Sequence, residues 1–327
     1  MLTVAIPALS GTASLGTAGL MDALNKADAS WALSEPSDPT RLFDVRLIGL
    51  DRAPVPCKDG VVLHPAVAAA DSPIPDIVVV PGLDDDVITS LELNRNWVSW
   101  IGRWHTAGAR VASSCTGAFL VAEAGVLAGR PATTHWRFAE DLQRRHPSVE
   151  VRADRMIIDT GDVITSGGAT AFLNLVIYLI ERFGGHERAN VAAKMLLIDG
   201  YRPSQLPYVA GLPGRSHDDA VVHDIQAHID AHLDEPLRIT KLASQFGLSS
   251  RTLTRRFINA TGQPPHDYLL AARIHLAERL LETTTHPIAE IRQLVGYQDP
   301  AAFRRAFKLR TGLGLNDYRH AYGPRKR

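Results

Sequence analysis

Through the first 185 residues, short runs rich in Val, Ile and Leu are separated by stretches whose apolar positions fall three and four apart. The runs Leu2–Pro7, Phe43–Leu50, Ile77–Val80, Arg110–Ser113 and Val163–Thr165 predict strands. The stretches Gly19–Ala27, Asn94–Ala107, Gly117–Ala128 and Ala171–Phe183 predict helices. Strands that alternate with helices are expected to form a mostly parallel sheet covered on both faces. Ligands of such sheets sit at the carboxyl ends of the strands. Two small-residue corners fall there, Ser114-Cys115-Thr116 and Ser166-Gly167-Gly168.

The pattern changes near residue 199. Asp199–Ser216 (DGYRPSQLPYVAGLPGRS) is rich in Pro, Gly and Ser and predicts a linker. The expected division is a sheet domain at 1–198, a connection at 199–218 and an all-α domain at 219–327. The second half repeats one outline at an offset of 49 to 50 residues, in ITKLASQFGLSSRTLTRRFINATGQPPHDYL and IAEIRQLVGYQDPAAFRRAFKLRTGLGLNDYR. Each copy has a short amphipathic helix, a Gly-containing turn, a second helix with paired Arg ahead of Phe, then Thr-Gly and a later Asp-Tyr. Two copies are too few for a solenoid and predict two helix-turn-helix units.

In the first copy Ile239–Phe246 is the supporting helix, Gly247-Leu248 the turn, and Ser249 or Ser250 the cap of a helix over Arg251–Ala260. Leu253 and Phe257 are four apart and face inward. Arg251 and Arg255, also four apart, share a different face with Thr254. That placement offers two guanidinium groups to one groove of DNA, where Arg is the commonest reader of guanine. In the second copy a helix from about Pro300 to Arg310 turns Phe303 and Phe307 inward, leaves Arg304 and Arg305 outward, and sets Lys308 and Arg310 near phosphates.

Charge sharpens this division. Residues 1–214 carry 18 Lys+Arg against 23 Asp+Glu, a balance of −5, and residues 215–327 carry 17 against 12, a balance of +5. A polyanion would be drawn only to the second half. The two cysteines, Cys57 and Cys115, form neither a disulfide framework nor a metal-ligand spacing, so a reducing cytoplasm is expected and no cofactor or metal is called for. The apolar start MLTVAIPALSG lacks a basic flank and is too short for a span, which predicts a buried strand and no membrane partner.

Residues from about Val221 to Tyr322 resemble the AraC-type DNA-binding domain, in which a long helix, here Asp267–Leu281, joins two helix-turn-helix units. GYQDPAAFRRAFKLRTG carries the resemblance. It implies base contacts from Arg251, Thr254 and Arg255 in the first unit and from Arg304 and Arg305 in the second. Arg292 and Gln293 stand where the family has small residues, Leu315 where it has Pro, and Pro300 and Ala301 where other members are polar. The second unit is therefore expected to read fewer bases and to rely on phosphate contacts.

Leu2 to about Ala193 resembles the PfpI/ThiJ branch of the class I glutamine amidotransferase-like fold, a flavodoxin-like architecture, through CTGAFLVAEAGVLAGRPATTHW. The two resemblances stand in the order of the GlxA-type regulators. They imply a transcriptional regulator with promoter DNA and a small-molecule effector as partners, a homodimer formed through the sheet domain, and RNA polymerase left open as a further partner. The effector class they imply is amino-acid-like or nitrogen-containing.

Cys115 is the residue on which other readings turn. A thiolate at a helix start is a reactive group, and His135 matches a histidine found near the cysteine of enzyme members. Against catalysis, SGTASLGTAG supplies no carboxylate after the first strand, where enzyme members have one, and Thr116 stands where protease-like members have His. A Cys-His pair without a third group is a poor triad, so no catalytic residue is assigned. Cys115 is expected to floor a pocket with Ser114, Thr116, His135, Ser166 and Gly167, with Thr12 in the loop Ser10–Thr17 on the opposite wall. The alternatives are a cysteine-dependent hydrolase or amidase, and a redox-sensing regulator that oxidises Cys115.

Overall fold

Ile77–Val80 is buried at all four positions because it lies inside a sheet covered on both faces. The coordinates are those of a computed structural model, which describes residues 1–198, 204–209 and 217–324. They fall into two compact units, 1–205 and 206–327. Of the connection expected at 199–218, residues 199–203 and 210–216 lie outside the described residues.

The strands of the first unit are β1 Leu2–Pro7, β2 Phe43–Gly49, β3 Val55–Pro56, β4 Val62–Leu63, β5 Val67–Ala68, β6 Ile77–Val80, β7 Arg110–Ser114, β8 Pro131–Ala132, β9 Glu150–Val151, β10 Ile157–Asp159 and β11 Val163–Ser166. Seven form one sheet in the order β10-β11-β7-β6-β1-β2-β5, parallel throughout except for β10 against β11. Its helices are α1 Ser14–Ser34, α2 Val87–Leu93, α3 Asn96–Thr106, α4 Gly117–Glu123, α5 Ala139–Arg145, α6 Phe172–Gly184 and α7 His186–Met195. Alternate strand residues feed two cores. Val4, Ile6, Ile77, Val79, Ala112 and Ile164 pack with Leu20 and Leu24 of α1 and Leu175 and Leu179 of α6. Val78, Val80 and Val111 pack on the other side with Trp97 and Ile101 of α3 and Phe119 and Leu120 of α4.

Several expected boundaries move, each for a local reason. Helix α1 starts at Ser14, so Ser14–Thr17 is its first turn and not a loop. The helix expected over Asn94–Ala107 starts at Asn96, because the Asn94 side chain is committed to Ser90 O (2.9 Å) and to both backbone groups of Ser10. The helix expected over Gly117–Ala128 ends at Glu123, two residues before Gly125 turns at φ 76°. Among the described residues no helix is long and apolar enough to cross a membrane.

The second unit holds α8 Ala220–Ala231, α9 Ile239–Gln245, α10 Ser250–Thr261, α11 Pro265–Thr283, α12 Ile288–Leu294, α13 Pro300–Thr311 and α14 Leu315–Tyr322. It has two cores that share α11. One gathers Ile225, Leu242, Leu253, Phe257 and Tyr268, and the other Ile274, Ile291, Phe303, Phe307 and Tyr318. The duplication extends to single atoms. Thr261 and Thr311 each close the following turn onto the carbonyl four residues back (2.8 Å in both), and Gly262 and Gly312 end the helices in the left-handed region. Tyr268 and Tyr318 stand edge-on to Phe257 and Phe307 and send their hydroxyls to Asp230 and Glu282.

Candidate functional site

Strand β7 ends at Ser114 and α4 begins at Gly117, so Cys115 and Thr116 must turn the chain within two residues. Cys115 does so at φ 56°, in the left-handed region that costs a residue with a side chain about 1–2 kcal/mol. Four hydrogen bonds hold the turn. The Cys115 N–H donates to Ser166 O (3.2 Å) and Gly167 O (3.0 Å), its carbonyl accepts from Thr134 Oγ1 (2.8 Å), and the buried Thr116 hydroxyl donates to Leu83 O (2.8 Å). A Cβ on Gly82 would lie 3.2 Å from Cys115 Cβ and 3.7 Å from Sγ, so that bare backbone roofs the thiol. Gly117 is equally constrained, since a Cβ there would strike the Val80 and Pro81 carbonyls.

The structure thus brings Ser114, Cys115, Thr116, Ser166 and Gly167 together. Ser114 and Ser166 are register partners and both are buried. Ser166 Oγ has no hydrogen-bond partner among the described residues, an omission that costs a buried hydroxyl about 1–3 kcal/mol unless a ligand or water meets it. The helix that follows is seven residues long, so the thiol faces a weaker dipole than the expected longer helix would give.

His135 faces the corner from across Gly168, where an added Cβ would fall on the imidazole ring. Its Nδ1 accepts from Arg137 N (3.1 Å), which leaves its proton to Nε2, and no hydrogen bond joins it to Cys115 among the described residues. Burial holds this imidazole below its ordinary pKa, with Asp85 opposing the shift and Arg137 adding to it. Around it the rim carries two neutralised pairs, Arg137 with Asp85 (3.2 Å) and Lys58 with Asp84 (2.7 Å). The Lys58 ammonium holds the Asp84 carboxyl below the usual carboxylate range.

The wall expected from Ser10–Thr17 is different in kind. Thr12 is fully buried and spends its hydroxyl on Leu9 O (3.2 Å), closing its own loop. The first turn of α1 takes the wall position instead, and a Cβ on Gly16 would come 3.9 Å from Gly82 N. Asp22, the first acid after β1, is exposed and paired with Lys26 (2.6 Å), and Asp28, the other acid of α1, accepts from Leu42 N (2.8 Å) and Phe43 N (3.1 Å), so neither carboxylate is spent on the thiol. Among the described residues no group of three His, Cys, Asp or Glu could hold a metal ion.

In the second unit Ser249, not Ser250, is the cap, accepting from Thr252 N (3.1 Å). Asp299 holds the equivalent place before α13 and accepts from Ala301 N (2.9 Å) and Ala302 N (3.1 Å). Both helices bury their Leu/Phe pair and expose the opposite side. Arg251 and Arg255 on α10, and Arg304, Arg305 and Lys308 on α13, are exposed, while Thr254 is half-buried beside them. Arg310, expected near phosphates, is instead half-buried with Glu278 and Tyr297, and its desolvation pushes the guanidinium pKa down. Arg292 turns inward to the Tyr297 and Gln298 carbonyls and staples the second turn, which accounts for a long side chain at that position. Leu315 is buried at the first position of α14.

Reasoning from sequence missed Gly82, Thr134 and the rim pairs, and placed Gly168 at a strand-end corner without its contact to His135. Thr134 lies inside the cysteine-bearing motif, but nothing local marks which backbone roofs which side chain.

Comparison with known proteins adds a context to this geometry. Residues 3–182 match the DJ-1/PfpI family and residues 242–321 a helix-turn-helix domain. The HTH-type transcriptional regulator GbdR of Pseudomonas aeruginosa is 26% identical over 85% of this chain and 75% of its own length. GlxA of Rhizobium meliloti, also an HTH-type transcriptional regulator, is 31% identical over 62% of each protein. An isonitrile hydratase of Pseudomonas putida is 31% identical over 61% of this chain and 83% of its own. Among solved structures, an AraC family transcriptional regulator of Pseudomonas putida superposes with a TM-score of 0.50 at 20% identity, over 60% of this chain and all of that one, which is a likeness of fold.

Proposed function

Because the chain belongs to the DJ-1/PfpI family and continues into an AraC-type helix-turn-helix domain, we propose that it is a ligand-responsive transcriptional regulator. The observation that carries this reading is the pair of capped helices, α10 and α13, that expose Arg251, Arg255, Arg304, Arg305 and Lys308 in a chain whose relatives over 85% and 62% of its length are named HTH-type transcriptional regulators. Arg251, Thr254 and Arg255 read bases from the first helix, Arg304 and Arg305 from the second, and Lys308 meets phosphate. The sheet domain senses and dimerises, and residues 199–218 connect the two domains.

The effector is a small amino-acid-like or nitrogen-containing metabolite seated over Cys115, with Ser114, Ser166, Gly167 and His135 around it, and with Thr12 and Thr116, whose hydroxyls are spent on Leu9 O and Leu83 O, behind the contact layer. Support comes from the unpartnered Ser166 hydroxyl and from a rim with cations and carboxylates side by side, which suits a ligand bearing both signs. Cys115 is a pocket wall and no turnover is expected. The competing reading is a cysteine-dependent hydrolase, favoured by the left-handed turn at Cys115 and by the likeness to isonitrile hydratase. It is weakened by the missing carboxylate and by a His135 Nδ1 already bonded within its own turn.

The test is selection of duplexes from fragmented genomic DNA by the purified protein, with and without candidate metabolites. Cys115→Ser should keep ligand-dependent selection with a shifted ligand affinity. Turnover of an amide, ester or isonitrile that vanishes in both Cys115→Ser and His135→Ala would replace the regulator's sensor with an enzyme.

A further inference from the structure

Gln205 lies beyond residue 182, where the match to the DJ-1/PfpI family ends, in a stretch whose sequence predicts a surface connector. It is nevertheless 2% exposed. A buried primary amide is tolerated only where its hydrogen bonds are met, and here they are met to excess. Nε2 approaches Thr134 O (2.8 Å), Arg155 O (2.9 Å), Thr133 Oγ1 (3.1 Å) and Ala153 O (3.3 Å), and Oε1 accepts from Gly168 N (3.3 Å). Acceptors around one end and a donor at the other fix which end is which. The backbone is fastened too: Gln205 N donates to Asp154 O (3.1 Å), as does Ser204 Oγ (2.7 Å).

The partners of this side chain are the residues that set the elbow. Thr134 holds the Cys115 carbonyl, and Gly168 is the surface on which the His135 ring lies. Gly167, whose carbonyl takes the Cys115 N–H, could carry no Cβ without striking the Gln205 amide (2.5 Å). Ser204 is anchored next door by its side chain's bond to Asp154 O (2.7 Å). The residue after Gln205 opens the second unit, where Leu206–Tyr208 forms one turn and a Cβ on Gly312, the C-cap of α13, would lie 3.5 Å from Pro207.

We propose that Gln205 is a positioning residue of the Cys115 site: it fixes Thr134 and Gly168, and through them the setting of Cys115 and His135. This rests on the sensor reading above and extends it. A ligand that displaces Thr134 or Gly168 must break the bonds of Gln205, and loss of those bonds must loosen the elbow, since coupling between two equilibria is reciprocal.

The rate at which dithionitrobenzoate labels Cys115 in the full chain, on a Cys57→Ser background, reads the elbow directly. Gln205→Ala should raise the rate about tenfold, the scale expected when hydrogen bonds holding a strained turn are lost. Ser204→Ala, which removes the bond to Asp154 O, should stay within about twofold of the native rate by the same scale. Gln205→Glu places a carboxylate against carbonyl oxygens, so its rate relative to native should be high at alkaline pH. That ratio should fall toward one as the carboxyl is protonated and can again donate. A purely structural role would give no such pH-dependent ratio. If Gln205→Ala does not fold, Gln205→Met, which fills the volume without the bonds, carries the same expectation. Equal rates in native, Gln205→Ala and Gln205→Glu protein at every pH would overturn the proposal and leave the sensor reading intact. A native protein whose DNA selection ignores every metabolite would sink the sensor reading while these rates kept their meaning.

Discussion

Arg255 and Arg256 are neighbours on α10, yet their replacement should have opposite consequences. Arg255 is exposed on the same side as Arg251. Arg256 points about 100° away, as one step of an α-helix requires, and its Nε binds Asp219 Oδ2 at 2.6 Å. Asp219 also caps α8 by accepting from Val222 N (3.1 Å), so this pair ties α8 to α10. Four residues of helix rise about 6 Å, which is near two base-pair steps of about 3.4 Å. Arg251→Ala and Arg255→Ala should therefore each relax discrimination at its own base pair, about two pairs apart. Each should cost about 1–3 kcal/mol, or about 5- to 150-fold in specific affinity. Arg256→Ala should leave base preference untouched and lower stability by no more than about 1 kcal/mol, because the pair is partly solvated. The assay is titration of a selected duplex and its single base-pair replacements at one fixed salt concentration, beside urea unfolding of each variant. Base preference that shifts in Arg256→Ala and holds in Arg255→Ala would refute the orientation assigned to α10.

Lys308→Ala should weaken all sequences alike and make the slope of log affinity against log salt shallower by about 1; a change confined to one base pair would reassign Lys308 to base reading. Asp299→Ala removes the acceptor of two backbone amides and should destabilise the second unit by about 1–2 kcal/mol, seen as a lower urea midpoint with unchanged slope. His135 has a folded pKa below its unfolded value of about 6.5, so the unfolded chain binds the proton more tightly. Its contribution is fully present above that value and is lost as pH falls through it. The loss of stability between neutral and mildly acidic pH should be smaller in His135→Gln, and an unchanged pH slope would remove His135 from the account.

Elements long enough to declare a period were legible in the sequence. β1 and β6 fall where the apolar runs put them, and α10 and α13 where the duplicated outline put them. What escaped was set by partners distant in the chain. β5 and β10 have two and three residues, too few to show a period, and exist because β2 and β11 offer them an edge. Cys115 could be placed at a corner from its neighbours, but its left-handed backbone depends on Thr134, Ser166 and Gly167. Paired arginines read as one feature until Asp219, 37 residues upstream, claims one of them. Gln205 had no local signal, because its importance lies wholly in what it touches.

The two cores of the helical unit have a consequence for how it comes apart. Each reading helix keeps its own cluster, and only α11 contributes to both. Opening of the α12–α14 half need not expose Phe257 or Leu253, and opening of the first half need not expose Phe307. Amide exchange should therefore divide this unit into two separately protected blocks, with α11 following the more stable of them. A protease that waits for transient opening would meet half a binding surface at a time. A lesion in one core would leave the reading helix of the other core packed on its own cluster.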